Sequence, residues 1–331
     1  MTRNIIIFLL LSCSAAADQE ATSPNPFVSP GREIPTDLPV WGHRDGIRVG
    51  LAPTPGPHGL IRIYAPYLGQ SFPRMVNFIS IEPTVMGKEG RSQSELEASR
   101  HRSRERGLSF YASEDPVSHS ETDSLPSGLA SPDGEMLRVY IHTEPFANGA
   151  MPVIEMIFHS DQPYAVEFRT HAHPDSAPLA ECVLSATMGN YGLLRQLQLG
   201  EKIITAEQLW PHPSTPLDPL GFLPWKTFSP EQFLRISGNK TLAKASSNEE
   251  DPARMKYPDS VPKSWRYHGS PAVHAWSTRG LATVAVNARL TFWETSSEIP
   301  GGPSIENFEL RAPFNPGQSF FFSVNPLLKK P

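Results

Sequence analysis

Glutamate, arginine and histidine occupy every second position of residues 167–173, with phenylalanine, threonine and alanine between them. The polar set is Glu167, Arg169, His171 and His173. Because alternate side chains of a β-strand point to opposite faces, these four share one face if the segment is a strand. Imidazole can transfer protons near neutral pH, and guanidinium holds a carboxylate through two parallel hydrogen bonds. The spacing therefore predicts a catalytic face on which His171 and His173 move protons while Arg169 binds substrate.

Four more predicted strands carry polar faces of the same kind. Rigid hydrogen-bond donors and aromatic rings are typical of a ligand groove, whereas a solvated sheet face is usually richer in lysine, which these faces lack. We therefore interpret the faces as the walls of one groove. Its predicted substrate-binding residues are Arg62, Tyr64, Arg138, Tyr140, His142, Arg169, Arg289 and Trp293. The alternative, an ordinary outer face of an antiparallel sheet, stays open at this point.

A glycine-flanked turn precedes another predicted strand. Gly189 and Gly192 enclose Asn190 and Tyr191, and Arg195 follows in the strand. On the functional interpretation, this turn brings Asn190 and Arg195 to the mouth of the groove as substrate-binding residues, with Tyr191 as a third catalytic residue. A plain β-turn with no further role is the alternative, because glycine and asparagine are common turn residues.

Motifs for metals and cofactors are few. His171 and His173 lie two positions apart and could hold one ion from a strand face. The third ligand would come from Glu181, His159 or His274, which makes zinc one alternative, and calcium bound through oxygen atoms is another. The chain has no HExxH motif, no ladder of cysteine and histidine ligands, no phosphate-binding loop and no dinucleotide fingerprint. We therefore expect no cofactor, with zinc or calcium as the alternatives.

The N-terminal segment predicts export. Residues 1–17 contain one early arginine, an apolar run over residues 5–11 and a cluster of small residues, which together are typical of a signal peptide. That run is far shorter than the roughly 20 residues that span a bilayer. The letters LLSC, which end at Cys13, also resemble a lipoprotein signal in which Cys13 is lipidated. We expect the protein in the periplasm, anchored at the outer membrane or outside the cell, with membrane contact only through that lipid.

Composition predicts the fold class. Proline accounts for 35 of 331 residues, about twice the usual ~5%, which disfavours long helices and marks many strand ends. Short β-rich runs bounded by Gly, Pro, Asn or Asp recur along the chain. We expect an all-β fold, a large two-sheet antiparallel sandwich with long loops and little helix. Residues 18–39 are predicted to form a proline-rich tether, and residues 40–331 a single sandwich domain.

Two local features and the net charge complete this outline. Residues 92–106 are the best helix candidate, because Ser92 and Glu95 have the spacing of a capping box. Cys182 lies in an apolar run and is expected to be buried and unreactive. The net charge is −5 with both signs interspersed, so no basic stripe is present for nucleic acid, and no nucleic-acid partner is expected.

The C-terminal stretch 306–322, ENFELRAPFNPGQSFFF, combines a polar strand, a Pro-Gly turn and an aromatic strand. It resembles the closing strands of galactose-mutarotase-like β-supersandwich proteins. The resemblance implies a large two-sheet sandwich whose concave face binds carbohydrate. That superfamily includes epimerases, polysaccharide lyases, accessory domains of hydrolases and plain binding proteins.

The polar faces and this resemblance together predict a function class. We expect a secreted or lipid-anchored bacterial carbohydrate-active protein, of the polysaccharide lyase or epimerase type, that acts on a poly- or oligosaccharide in a polar groove. A non-catalytic glycan-binding protein is one alternative, and a structural or interaction lipoprotein of the envelope is another. An enzyme would gather a base, an acid and an arginine in one pocket, whereas a binding protein would present exposed aromatic residues without that cluster.

Overall fold

The structure is a computed structural model that describes about three-quarters of the chain. The described residues are 25–30, 41–51, 57–66, 74–122, 125–187, 189–211, 214–232, 240–247, 257–259, 261, 272–292 and 297–326. The predicted signal segment with Cys13, most of the predicted tether, and Trp293 lie outside these ranges.

One antiparallel sheet, the first sheet, has nine strands. In spatial order they are β1 (Phe27–Val28), β2 (Trp41–His43), β3 (Arg48–Gly50), β4 (Leu60–Ala65), β5 (Arg74–Val85), β11 (Leu179–Thr187), β18 (Ser304–Arg311), β17 (Thr283–Arg289) and β14 (Phe222–Phe228). Its centre joins segments that are far apart in sequence, since β5 pairs with β11 and β11 with β18.

The second sheet has ten strands. In spatial order they are β13 (Lys202–Thr205), β12 (Leu194–Leu199), β15 (Lys240–Ser247), β16 (Ala272–Arg279), β19 (Gln318–Pro326), β10 (Ala165–Ala172), β9 (Pro152–His159), β8 (Met136–Thr143) and β6 (Phe110–Ser113), with β7 (Leu129–Ala130) also paired to β8. Strands make up 52% of the structure, and the two sheets stack as an open sandwich, which confirms the predicted fold class.

Helix is scarce in the described ranges. There is one short α-helix, α1 (Ala206–Leu209), and two 3₁₀ turns, η1 (Gly189–Gly192) and η2 (Pro230–Gln232). Thr205 and Gln208 form a capping box at α1, each side chain bonding to the other residue's backbone. None of these elements is long and apolar enough to cross a membrane.

The helix predicted over residues 92–106 is wrong, since the segment forms turns. Its backbone is instead bonded to β5. The amides of Ser92 and Ser94 donate to the carbonyls of Pro83 and Ile81 at 3.1 and 3.0 Å. The buried Ser94 hydroxyl donates to the Gly59 carbonyl at 2.6 Å and accepts from the Ile81 amide at 2.9 Å. These bonds to the sheet take the place of helical ones, which a polar segment with little apolar face cannot stabilise by packing.

The core lies between the sheets and follows the predicted alternation. In β10, Val166 and Phe168 are fully buried on the inner face. Polar bonds also cross the interface, because the Trp276 indole of β16 donates to the Phe308 carbonyl of β18 at 2.9 Å. Cys182 on β11 is buried as predicted, and burial raises the pKa of its thiol to about 12.

Candidate functional site

The polar faces of β8 and β10 lie on one side of the second sheet, with β9 between them. The register places Arg169 opposite Glu155 and Glu155 opposite Tyr140, so the three side chains form a row across the strands. The apolar residues of the same strands point inward to the core. The face predicted from residues 165–173 is therefore an outer face of the sandwich, and it is continuous with that of β8.

Two carboxylates organise this face. Glu155 Oε2 lies 3.0 Å from His171 Nε2, and its Oε1 lies 2.8 Å from Arg138 Nε. Burial works to raise the pKa of Glu155, but the hydrogen bond from His171 and the charges of Arg138 and Arg169 outweigh it and hold that pKa below its usual value. Glu155 therefore stays ionised and orients the His171 ring.

Glu167 is the second carboxylate, and with its donors it forms what we call the Glu167 centre. It accepts from His159 Nε2 at 2.5 Å, from Arg169 Nε at 2.7 Å and from the Ser319 hydroxyl at 2.5 Å. Burial is again the largest influence on its pKa, and these three donors overcome it and lower the pKa. Two imidazole–carboxylate pairs thus stand on adjacent strands. His159 completes the second pair, whereas the sequence offered it only as an alternative metal ligand, and it falls on the same alternation in β9.

His171 and His173 have different surroundings, contrary to the predicted catalytic pair. His173 follows the end of β10, and its Nε2 donates to the Val117 carbonyl at 3.1 Å. His142 donates in the same way to the Asp115 carbonyl at 3.0 Å. These two histidines therefore hold the loop after β6 and do not extend the row around Glu155. Among the described residues, no group of three or more His, Cys, Asp or Glu side chains could hold a metal ion.

The remaining predicted binding residues do not join this face. Arg62 and Tyr64 lie on β4 and Arg289 on β17, both in the first sheet. Arg62 is 1% exposed and donates to the Pro57 carbonyl at 3.0 Å, and Arg289 Nη1 donates to the Leu220 carbonyl at 3.0 Å. The prediction of one groove was wrong for these three residues, because alternation assigns a side chain to a face but does not tell which sheet the strand enters.

The glycine-flanked turn forms η1, and it also lies away from β10. Tyr191 is buried, with its ring 5.3 Å from that of Phe292. Arg195 is on β12, four strands from β10, and donates to the Pro300 carbonyl. Asn190 lies within η1 itself. The turn η1 contacts strands β5, β12 and β18. Tyr191 is therefore not beside His171.

A groove that the sequence did not predict lies next to the Glu167 centre. It encloses 510 Å³ on the outer face of the second sheet, and its lining includes Tyr164, Lys240, Ser277, Arg279, Phe321, Ser323 and Asn325. Phe321 pairs with Glu167 across the strands, and its ring centre is 6.3 Å from that of His159. The groove and the imidazole–carboxylate pairs therefore form one continuous surface.

The charges in the groove differ from those beside it. Arg138 and Arg169 are each paired with a carboxylate, whereas Lys240 and Arg279, which are cross-strand neighbours, have no ion-pair partner in the part of the chain described here. A second cavity of 580 Å³, between the β12–β13 hairpin, η2 and β15, shares Lys240 with the groove. The two cavities therefore meet at Lys240.

The strand register identifies Phe321 as the outward aromatic residue of this groove. In residues 318–326, Phe320, Phe322 and Val324 are buried, so the aromatic Phe321 must point outward between them. An outward phenylalanine on a central strand is unusual for a solvated face.

Comparison with models of known protein families, and with curated protein sequences, gave no match to this chain.

Proposed function

We propose that this chain binds a poly- or oligosaccharide along the outer face of the second sheet, in the groove centred on Phe321. The observation that supports this is the combination, in a single 510 Å³ groove, of an outward aromatic ring, hydroxyl and amide groups, and two cations without an ion-pair partner among the described residues. Sugar rings stack on aromatic side chains through their C–H faces, and their hydroxyls need several donors and acceptors at once.

The groove has the parts that such a ligand requires. Phe321 and Tyr164 offer apolar surface, and Ser277, Ser323 and Asn325 offer hydrogen bonds. The half-buried Phe321 ring, the exposed Tyr164 ring and these polar groups lie together in one groove, which is the arrangement that a sugar ring and its hydroxyls require. The geometry thus favours carbohydrate binding over a purely structural role.

Catalysis of the lyase or epimerase type is the second candidate. The observation that favours it is the imidazole–carboxylate pair His171–Glu155 at 3.0 Å, with Arg169 beside it. In a β-elimination on a uronate, a neutral imidazole would take the proton next to the carboxylate. The electrons of that C–H bond would form the C=C bond, and the glycosidic oxygen would leave with a proton from a second acid. Arg169 would hold the carboxylate while negative charge develops.

A binding screen with matched variants tests the primary proposal. The purified chain is titrated calorimetrically with neutral and uronate oligosaccharides, alongside Phe321→Ala and the control Met86→Ala, which removes an exposed side chain in the turn after β5. We expect Phe321→Ala to weaken binding roughly 2- to 10-fold, in line with about 0.5–1.5 kcal/mol for a stacked ring, and Met86→Ala to have no effect. Equal binding by both variants would refute the proposal.

The same screen separates the enzyme from the binding protein. Ultraviolet absorbance of an unsaturated uronate product, formed by the parent chain and lost in His171→Ala, would establish the lyase.

We also propose the export and lipid anchor predicted from residues 1–17. Palmitate labelling in a bacterial host, with Cys13→Ala as the matched variant, tests that part, and equal labelling of both chains would exclude lipidation at Cys13.

A further inference from the structure

A second charged cluster lies on the outer face of the first sheet, on the opposite side of the sandwich from the groove. Glu82 on β5 and Glu309 on β18 are bridged by Arg91, whose Nη1 is 3.1 Å from Glu82 Oε2 and 2.8 Å from Glu309 Oε1. Arg311 Nε donates to the same Glu309 oxygen at 2.5 Å. Two guanidinium groups thus converge on one carboxylate oxygen, with their donor nitrogens no more than 5.3 Å apart (2.8 + 2.5).

Burial in this cluster is layered. The Glu309 and Glu82 side chains are 0% and 5% exposed, whereas those of Arg91 and Arg311 are 18% and 24% exposed. The carboxylates therefore lie beneath and hold the guanidinium groups, which reach the surface. In the described part of the chain, the hydrogen bonds of Arg91 and Arg311 use one nitrogen each, so their remaining N–H groups are left for solvent or a ligand.

A buried hydroxyl adds to the polarity beneath the arginines. Ser185 on β11 pairs with Glu309 in the sheet register and is 1% exposed. Its Oγ, like Glu309 Oε2, has no hydrogen-bond partner among the described residues. Unpartnered buried polar atoms are costly, and their clustering is typical of sites whose arrangement serves a ligand more than stability.

An aromatic side chain stands at the edge of the cluster. The Trp225 ring lies under the Arg311 guanidinium, with Arg311 Cζ 4.7 Å from the ring centroid, and Trp225 is 38% exposed. Part of the indole stays exposed even with Arg311 over the ring, so its apolar surface is open to a ligand. Its ring gives a flat surface next to the convergent N–H groups.

The charge of the cluster favours an anion at neutral pH. Burial, and then the neighbouring negative charge of Glu309, raise the pKa of Glu82 to about 8, although Arg91 acts against this. Glu95, in the turn segment 92–106, also contributes to the raised pKa of Glu82. Burial raises the pKa of Glu95 itself to about 7. With Glu82 protonated, the two arginines and Glu309 carry a net charge of +1, which an anionic ligand would balance.

We propose that Arg91, Arg311 and Trp225 form a binding site for an anionic sugar, whose carboxylate or sulfate group bonds to the two guanidinium groups while its ring stacks on Trp225. Arginine suits this task because its planar donors match the paired oxygens of such groups. The site does not depend on the groove around Phe321, and different substitutions test the two surfaces.

Four tetrasaccharides test the site by titration at pH 7: tetragalacturonate, tetramannuronate, a sulfated carrageenan tetrasaccharide and neutral galactotetraose. The matched pair is α-1,4-linked tetragalacturonate and α-1,4-linked galactotetraose, which differ only in the carboxylate that replaces the C6 hydroxymethyl group. We expect at least one anionic ligand to bind roughly 10- to 100-fold more tightly than galactotetraose, the effect of one or two charged hydrogen bonds. The arm that binds best identifies carboxylate or sulfate as the anion, and equal binding of all four ligands would overturn the proposal.

Substitutions locate the binding. Arg311→Gln should weaken binding of the anionic ligand about 10-fold or more, and Trp225→Ala about 2- to 10-fold. Arg100→Gln, which removes an exposed arginine outside both proposed sites, is the control, and Arg279→Gln reports whether the groove of the second sheet binds the ligand instead. Loss of binding in Arg279→Gln alone would support the groove and overturn this site. Thermal unfolding of each variant, together with Arg311→Lys, which keeps the charge, separates lost ligand contacts from lost structure.

A pH profile provides a readout that a purely structural role would not move. As pH rises from 7 to 9, Glu82 ionises and the net charge of the cluster falls, so affinity for the anionic ligand should drop. Arg91 stays charged throughout, because both carboxylates raise its pKa against the effect of burial. The drop should disappear in Glu82→Gln and persist in Glu95→Gln. An unchanged pH profile in Glu82→Gln would contradict the proposal.

Discussion

Asn77 and His274 meet in the middle of the sandwich, with Asn77 Nδ2 3.0 Å from His274 Nδ1. Asn77 is on β5 of the first sheet and His274 on β16 of the second, so this polar contact joins the two sheets inside the apolar core. The Asn77 Oδ1 atom already accepts from the Phe78 amide at 2.7 Å. The Asn77 amide group therefore donates to His274, whose Nδ1 must be unprotonated to accept the bond.

The fold should consequently lose stability in acid. Burial lowers the pKa of His274 to about 3, whereas an unfolded chain would titrate near ~6.5. Between these values only the unfolded state takes up the proton, so the free energy of unfolding falls as pH decreases, by about 1.4 kcal/mol per pH unit. Urea unfolding at pH 7 and pH 5 measures this slope. In His274→Gln the slope should be smaller by about one proton.

Some acid sensitivity should remain in that variant. His43 is also buried, and burial is the largest cause that lowers its pKa to about 4, so it contributes a slope of the same sign. A His274→Gln chain with the full slope of the parent would show that His274 is protonated in the folded state, and would contradict the assignment of its Nδ1 as an acceptor.

Removing the charge of Glu167 should destabilise the second sheet. Glu167→Gln weakens the bonds from His159, Arg169 and Ser319 and leaves their donors poorly satisfied, at a cost of about 1–3 kcal/mol at pH 7. Because the folded pKa of Glu167 is lowered, its contribution is present above the unfolded pKa of about 4.3 and is lost as pH falls further. The difference from the parent in urea unfolding should therefore shrink in acid.

An exposed carboxylate provides the control for this experiment. Asp161 lies in the turn between β9 and β10 and is exposed. Asp161→Asn should change the free energy of unfolding by less than about 0.5 kcal/mol. Equal effects of Asp161→Asn and Glu167→Gln would mean that the bonds around Glu167 contribute little to the fold.

Sequence periodicity predicted the faces of single strands well, but it did not predict how the strands meet. Alternation in residues 165–173 correctly assigned Phe168 to the core and Arg169 to the outside. It could not show that Arg62 and Arg138 belong to different sheets, because strand pairing such as β5 with β11 joins residues about 100 positions apart. Long-range pairing depends on the whole packed core, and no local pattern encodes it.

The site was harder to predict than the fold for the same reason. Phe321 sits in a run of three phenylalanines, and only the strand register shows that the middle one faces outward. Glu309 and Arg311 stand on a recognisable polar face, yet their partner Arg91 comes from a turn segment some 218 residues away in sequence. Ligand-facing groups assembled from distant segments become visible only when the chain is folded.

Cys182 should resist thiol reagents in the folded protein. It is buried on β11, and burial raises the pKa of its thiol to about 12, so the reactive thiolate is scarce at neutral pH. In a Cys13→Ala background, an aromatic disulfide reagent should label Cys182 slowly without denaturant and rapidly in guanidinium chloride. Rapid labelling of the native chain would show that β11 opens readily or that the thiol is accessible.

His171 and His173 should respond differently to substitution, although their spacing predicted that they share one strand face. His171 is oriented by Glu155 on the exposed face of the sheet, whereas His173 and His142 hold the loop after β6 through the carbonyls of Val117 and Asp115. His173→Ala removes one loop bond, so limited proteolysis between β6 and β7 should become faster, while cleavage in His171→Ala stays at the parent rate. His171→Ala should instead abolish any lyase product found in the screen, since loss of a general base costs about 10²- to 10⁴-fold in rate. Faster loop cleavage in both variants, or in neither, would show that the two histidines do not divide these roles.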